Sequence, residues 1–220
     1  GDDVGNYSIT DQGTTTANIT AKTLTATASA NNKVYDGTTT ATVTLTFTGL
    51  VGAETLGQSV GATFADKDVA NGKTVTVNSI TLSDDGDSGG LASNYSISTG
   101  QTTTANITPK ALTIGGITAS NKTYNGNTTA TIDVSAATFT GLVDGDAVTV
   151  SATGTFDNEN VGTNKTVTLV ETNAGDDVGN YSITDQGTTT ANITAKTLTA
   201  TASANNKVYD GTTTATVTLT

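Results

Sequence analysis

One stretch of 46 residues occurs twice in this chain without a single change. Residues 1–46 recur letter for letter at 175–220, an offset of 174. A diverged copy lies between them. Asn6-Tyr7-Ser8-Ile9 returns as Asn94-Tyr95-Ser96-Ile97 and Asn180-Tyr181-Ser182-Ile183. Lys33-Val34-Tyr35-Asp36-Gly37 returns as Lys122-Thr123-Tyr124-Asn125-Gly126 and Lys207-Val208-Tyr209-Asp210-Gly211. The unit is therefore about 87 residues long, and two unit types alternate. Solenoid rungs run from roughly 20 to 50 residues, so a unit of this size is a whole domain. The frame places residues 1–21 as the C-terminal end of a preceding repeat, 22–109 and 110–195 as two repeats, and 196–220 as the opening strands of a following one. Pro109, the only proline, marks a join, because its missing N–H would damage a central strand. Gly1 is not an initiator Met, and the chain reads as a window on a longer array.

Within one unit the dominant pattern has a period of two. In Ala41-Thr42-Val43-Thr44-Leu45-Thr46-Phe47 the apolar residues all fall on one face and the threonines on the other. Similar alternation runs through Leu24, Ala26 and Ala28, through Val60, Ala62 and Phe64, through Val75 and Val77, then Ile80 and Leu82, and through Ala105 and Ile107. The turn formers are Asp36-Gly37, Asn125-Gly126 and Asp210-Gly211, since Asp-Gly and Asn-Gly accept the positive φ of a tight reversal. No stretch carries helical i, i+3, i+4, i+7 spacing with caps. About seven short strands per unit predict an all-β fold: tandem immunoglobulin-like antiparallel β-sandwich domains in an elongated array. The core is expected from the aliphatic residues together with Tyr35, Phe47, Phe64, Tyr95, Tyr124, Phe139, Phe156 and Tyr181.

Composition then removes whole classes of chemistry. The chain has no His, Cys, Met, Trp or Arg, and its nine basic residues are all Lys. That excludes imidazole bases, thiolate nucleophiles, Cys/His zinc sites and disulfides. Twenty acidic residues give a net charge of −11, which repels nucleic acid and anionic membranes, so neither is expected as a partner. No apolar run approaches the ~20 residues of a membrane span. Thr supplies 54 of 220 residues, which favours extended backbone that stays wettable without charge.

The order of motifs is specific. Lys-x-Leu-Thr is followed by Lys-x-Tyr-Asp-Gly-x-Thr, Phe-Thr-Gly-Leu, Asn-Val-Gly-x-x-Lys-Thr-Val, Asn-Tyr-x-Ile and Thr-Ala-Asn-Ile-Thr-Pro-Lys. This succession resembles the YDG (MBG-type) repeats of very large bacterial surface adhesins, including filamentous-haemagglutinin-like proteins, and covers essentially the whole chain. The middle unit departs from it by carrying Asn125 where the motif has Asp, and the first unit by carrying Asp68-Val69-Ala70-Asn71-Gly72-Lys73. The resemblance implies a β-rich stalk module exported to the cell surface and no catalytic residues.

Acidic turns are the best candidates for a site. Asp84, Asp85 and Asp87, and Asp144 and Asp146, cluster oxygens of the kind that hold Ca2+, as do Asp2-Asp3 and Asp176-Asp177. None has EF-hand spacing, and solvated turns are the plainer reading. Paired carboxylates in repeated turns do not suggest an enzyme. Lys33, Lys73, Lys122 and Lys165 recur at fixed positions and permit an intramolecular Lys–Asn or Lys–Asp link, which no motif specifies. The Thr-x-Thr runs raise an ice-binding face, but adjacent sandwich strands twist by ~20–25° and spoil a flat lattice. The expected function is that of stalk or extender repeats of an extracellular, surface-bound adhesin, each adding roughly 30–40 Å at ~3.3 Å per strand residue. The alternative is that the repeats themselves bind glycan or protein weakly and multivalently. Partners are then neighbouring repeats, and other copies through end-to-end strand pairing.

Overall fold

The structure is a computed structural model that describes residues 2–8, 10–11 and 13–220. It divides into two compact units, Gly1–Pro109 and Lys110–Thr220. Among the described residues there is no α-helix, only single 3-10 turns at Val4–Asn6, Ala92–Asn94 and Val178–Asn180, so the fold is all-β.

The first unit contains β1 (Lys22–Thr23), β2 (Thr25–Ala30), β3 (Lys33–Val34), β4 (Thr40–Ala41), β5 (Val43–Thr48), β6 (Gly57–Phe64), β7 (Ala70–Ser83), β8 (Tyr95–Ser96) and β9 (Thr102–Thr108). One residue separates β1 from β2 and one separates β4 from β5, so the chain makes seven strand passages. A five-stranded sheet has the order β3-β9-β7-β6-β4, and smaller pairs β2–β5 and β1–β8 accompany it. In the β2–β5 pair the register sets Ala26 against Phe47, Ala28 against Leu45 and Ala30 against Val43 on the inner face. The outer face is a ladder of Thr25–Thr48, Thr27–Thr46 and Ser29–Thr44, all exposed. Small inward alanines opposite larger partners, with hydroxyls outward, are what the alternation requires.

The second unit repeats the plan with β10 (Lys110–Gly115), β11 (Thr118–Ala119), β12 (Lys122–Thr123), β13 (Thr129–Ala130), β14 (Ile132–Asp133), β15 (Thr138–Thr140), β16 (Thr149–Phe156), β17 (Gly162–Ala174), β18 (Tyr181–Thr184) and β19 (Thr188–Thr194). Its five-stranded sheet runs β12-β19-β17-β16-β13, beside a three-stranded β15-β10-β18 sheet and a β11–β14 pair. Ile114 from the smaller sheet packs in one cluster with Phe156, Val167, Leu169, Ala191 and Ile193 of the larger one. Beyond β19, β20 (Ala202–Ala204) and β21 (Val217–Leu219) form an exposed hairpin.

The structure departs from the sequence expectation in three details. The sheets are mixed: β1 pairs β8, β3 pairs β9, β10 pairs β18 and β12 pairs β19 in parallel. Strand alternation reports which face is buried but carries no signal of direction.

The second departure is a β-bulge in unit 1, where Gly61 faces Ser79 and Ala62 faces Val77, leaving Asn78 unpaired. That extra residue flips the phase of β7, which is why Val75 and Val77 are odd-numbered while Ile80 and Leu82 are even. Unit 2 has a continuous register there, so Glu171 and Asn173 take the inward-phase positions instead.

The third concerns Tyr124, which is 40% exposed whereas its counterpart Tyr35 is 1% exposed. Lys67 lies over the Tyr35 ring, 5.8 Å from its centroid. The matching position in unit 2 is Glu159, whose charge an aromatic face does not attract. Phe47 and Phe139 are half-buried, and Phe64, Tyr95, Phe156 and Tyr181 are buried as the pattern requires.

Candidate functional site

The Tyr-Asp-Gly motif builds a clasp around a lysine. Gly37 adopts φ +77° and reverses the chain after β3. Asp36 then closes the turn with its own side chain, its Oδ1 accepting the Thr38 N–H at 2.9 Å and the Thr38 hydroxyl at 2.8 Å. Lys33, three residues earlier, brings its Nζ to the same carboxylate oxygen at 2.7 Å. The ammonium also donates toward Thr38 O at 2.8 Å, Thr38 Oγ1 at 3.1 Å and Thr40 O at 3.2 Å, and sits 5.7 Å from the centre of the Phe64 ring. Only 17% of the Lys33 side chain is exposed, so a charge is held nearly out of water by oxygens on one side and an aromatic face on the other. Partial burial pushes the Asp36 carboxyl up, but the Lys33 ammonium and the Thr38 donors outweigh it and hold it below the usual carboxylate range.

The other two copies show which parts are fixed. Lys207 meets Asp210 Oδ1 at 2.8 Å and Thr212 Oγ1 at 2.8 Å, although no five-stranded sheet stands behind it. In unit 2 the neutral Asn125 does not take the lysine. Lys122 turns to Asn127 O at 2.6 Å, Asn127 Oδ1 at 2.9 Å and Thr129 O at 3.1 Å, still 5.4 Å from the centre of the Phe156 ring. The first and second copies thus share the carbonyls five and seven residues after the lysine, and the first and third share the carboxylate.

A second pair of lysines serves a bulge inside each five-stranded sheet. The ladder between β7 and β9 shifts between Ala70 and Lys73, and that between β17 and β19 shifts between Gly162 and Lys165. Asn106 Oδ1 accepts the Gly72 N–H at 2.7 Å, and Asn192 Oδ1 accepts the Asn164 N–H at 2.7 Å. Asn164, at φ +51°, is the one non-glycine residue with positive φ among the described residues. Asn32 and Asn121 in turn accept the N–H groups of Asn106 and Asn192, each at 2.7 Å. The lysine leaving each bulge meets an acid: Lys73 pairs with Asp66, and Lys165 reaches Asp157 at 2.7 Å and Asn158 Oδ1 at 2.8 Å. Lys73 and Lys165 accordingly hold the Asp66 and Asp157 carboxyls below their ordinary range.

The Asn-Tyr-x-Ile and Phe-Thr-Gly-Leu motifs meet in a tyrosine tie. Gly141, at φ +104°, lets the chain pass so close to Ala111 that a Cβ would lie 2.5 Å from its carbonyl oxygen. Just after it, the Val143 N–H donates to the Tyr181 hydroxyl at 2.9 Å, and that hydroxyl donates to Asp146 Oδ2 at 2.6 Å. In unit 1 the Val51 N–H donates to the Tyr95 hydroxyl at 3.0 Å, and Tyr95 donates to Glu54. The Glu54 carboxylate raises Tyr95 above the ordinary phenol range.

The acidic turns proposed for Ca2+ are occupied in similar ways. Asp84 Oδ1 accepts the Ala92 N–H at 2.8 Å, Asp85 accepts the Asp87 N–H at 3.1 Å and the Thr55 hydroxyl, and Asp146 belongs to the tyrosine tie. Among the described residues no group of three or more acidic side chains is placed to hold a metal ion. A recess of about 420 Å³ lies in unit 1 beside Tyr95 and Glu54, between Lys22 and Ser93. The four recurring lysines each meet an Asp or Asn within one turn or bulge, so their positions follow from folding. What the sequence reading missed are the side chains of Asn32, Asn106, Glu54 and Gln58. The recurrence of Asn-Asn-Lys and Ala-Asn-Ile was the signal available for the asparagines. Gln58 donates its Nε2 to Leu45 O at 2.8 Å and accepts the Leu45 N–H at 2.9 Å, and nothing in its sequence surroundings announces this.

A model of the YDG domain family matches residues 20–105 and again 108–191. No curated protein and no solved structure matches the chain. Two matches that together span most of the chain, each enclosing one lysine clasp and one tyrosine tie, mean that it belongs to the YDG domain family.

Proposed function

We propose that these units are stalk or extender repeats of a bacterial cell-surface adhesin, exported from the cell and projecting a separate binding region. One observation carries the reading. The side chains that recur from unit to unit are those that satisfy the units' own backbone: Lys33, Asp36, Asn106, Tyr95 and their counterparts bind turns, bulges and loops of the same unit. A module repeated for its ligand would recur in residues directed outward. Two YDG domains in tandem with outward Thr ladders and a net charge of −11 suit a soluble spacer that repels its neighbours.

The test exchanges the repeats, in the parent protein, for unrelated β-sandwich modules of the same number and length. Adhesion is expected to persist after the exchange and to fall when repeats are simply deleted. Adhesion lost on exchange at constant length, or glycan or protein binding by the isolated two-unit chain, would favour the multivalent alternative.

A further inference from the structure

Asn125 stands where the first and third copies of the motif carry Asp36 and Asp210, and it is followed by glycine. We propose that Asn125-Gly126 is a self-modification site at which the chain converts this asparagine to aspartate. The Gly126 amide nitrogen, after losing its proton to solvent base, attacks Asn125 Cγ. A C–N bond forms, the side-chain nitrogen leaves as ammonia, and one water opens the cyclic imide to aspartate or isoaspartate. Asparagine plus water becomes aspartate plus ammonia, and no further reagent is needed.

Three features direct the reaction to this position. Asn125 and Gly126 are exposed, and nothing lies within 4 Å of where a Gly126 Cβ would be, so the turn is open to solvent base. No hydrogen bond holds the Gly126 N–H among the described residues, and the Asn125 carboxamide is held only by a 3.3 Å contact from the Asn127 N–H to its Oδ1. Lys122, which would restrain it, is engaged with Asn127 and Thr129. The chain supplies its own control at Asn71-Gly72. There the Gly72 N–H donates to Asn106 Oδ1 at 2.7 Å inside the β7–β9 bulge, so the nucleophile is occupied.

The aspartate product has a waiting partner. In the copies that already carry the acid, the lysine three residues earlier lies 2.7 Å and 2.8 Å from the carboxylate. Conversion therefore gives unit 2 the ion-paired clasp of its neighbours. The isoaspartate product instead lengthens the turn by a methylene.

The experiment incubates the folded chain at mildly alkaline pH and follows both sites by peptide mass mapping, where conversion adds about 1 Da. The Asn125 fragment is expected to convert at least about tenfold faster than the Asn71 fragment, the ratio given by a barrier difference of about 1.4 kcal/mol. An Asn106→Ala chain should bring the Asn71 rate up toward that of Asn125. An Asn125→Asp chain should melt higher than the parent at neutral pH and lose that gain as the new carboxylate is protonated. Equal rates at the two sites in the folded parent, no conversion at Asn125, or an Asn125→Asp chain whose melting shows no pH-dependent gain would overturn the proposal.

Discussion

Fixing a lysine side chain costs up to about 2 kcal/mol of rotamer freedom, so Lys33 must gain more than that from its clasp. It does so through charge-assisted bonds to one carboxylate and two carbonyls that would otherwise face a nearly closed turn. Lys33→Met keeps the stem against Phe64 and removes those bonds. Chemical denaturation is expected to show a loss of about 1–2 kcal/mol in the first unit, and an unchanged midpoint would refute the clasp as a stabilising device. Asp36 makes the same point through pH. Its folded carboxyl sits below the unfolded value, so the stability it contributes is fully present above about pH 4 and is lost as the pH falls through the lowered value. Acid melting curves of Asp36→Asn should be flatter over that range than those of the parent. Tyr95 titrates in the opposite sense. Its hydroxyl is raised in the folded state, so its contribution is intact below about pH 10 and disappears as the pH climbs past the folded value. Tyr95→Phe should start from lower stability at neutral pH and lose less on going alkaline, and parallel curves would argue against the tie.

At the level of strands, the chain runs its own control, because identical sequences occupy different surroundings. Residues 14–20, 188–194 and 102–108 are all Thr-Thr-Thr-Ala-Asn-Ile-Thr, the last being β9 beside β7. The second copy is β19, with Ile193 1% exposed between β12 and β17, while the first forms no strand and leaves Ile19 fully exposed. This strand exists only where a partner edge is offered, by β17 in unit 2 and by β7 in unit 1. The β20–β21 hairpin behaves otherwise. It pairs Ala202 with Leu219 and Ala204 with Val217, the register that β2 and β5 use for Ala28–Leu45 and Ala30–Val43, without a sheet behind it. Hydrogen exchange followed by mass spectrometry separates the two cases. The fragment common to 13–20 and 187–194, which its leading glycine distinguishes from 102–108, should give two isotope envelopes of equal area, one protected and one exchanged, whereas a single envelope would contradict the assignment.

The same contrast explains how much was legible beforehand. Turn chemistry at Asp36-Gly37 and alternation in β2 and β5 are local, and both were readable. Parallel pairing, the Asn78 bulge and the asparagine ties depend on residues many positions apart, such as Asn32 with Asn106. The differing exposure of Tyr35 and Tyr124 goes with a difference many positions away, Lys67 against Glu159. The site fared likewise. The recurring lysines stood out, but their purpose became visible only when Thr38 O, Thr40 O and Phe64 were found around Lys33. The acidic turns drew notice because carboxylates cluster there, yet Asp84, Asp85 and Asp146 serve backbone and hydroxyl donors of their own unit.

For the molecule as a whole, each unit closes its own core and its own hydrogen bonds, and the proposed stalk requires that added units add length. The sandwich of unit 1 gathers Tyr35, Phe64, Val75, Val77 and Ile107 from within Gly1–Pro109, and unit 2 gathers Ile114, Phe156, Val167 and Ile193 from within Lys110–Thr220. Small-angle X-ray scattering on chains of two, four and six repeats measures this directly. The maximum dimension is predicted to rise linearly, by roughly 30–40 Å for each added unit, with an unchanged cross-section. A maximum dimension that grows only as the cube root of mass would contradict it.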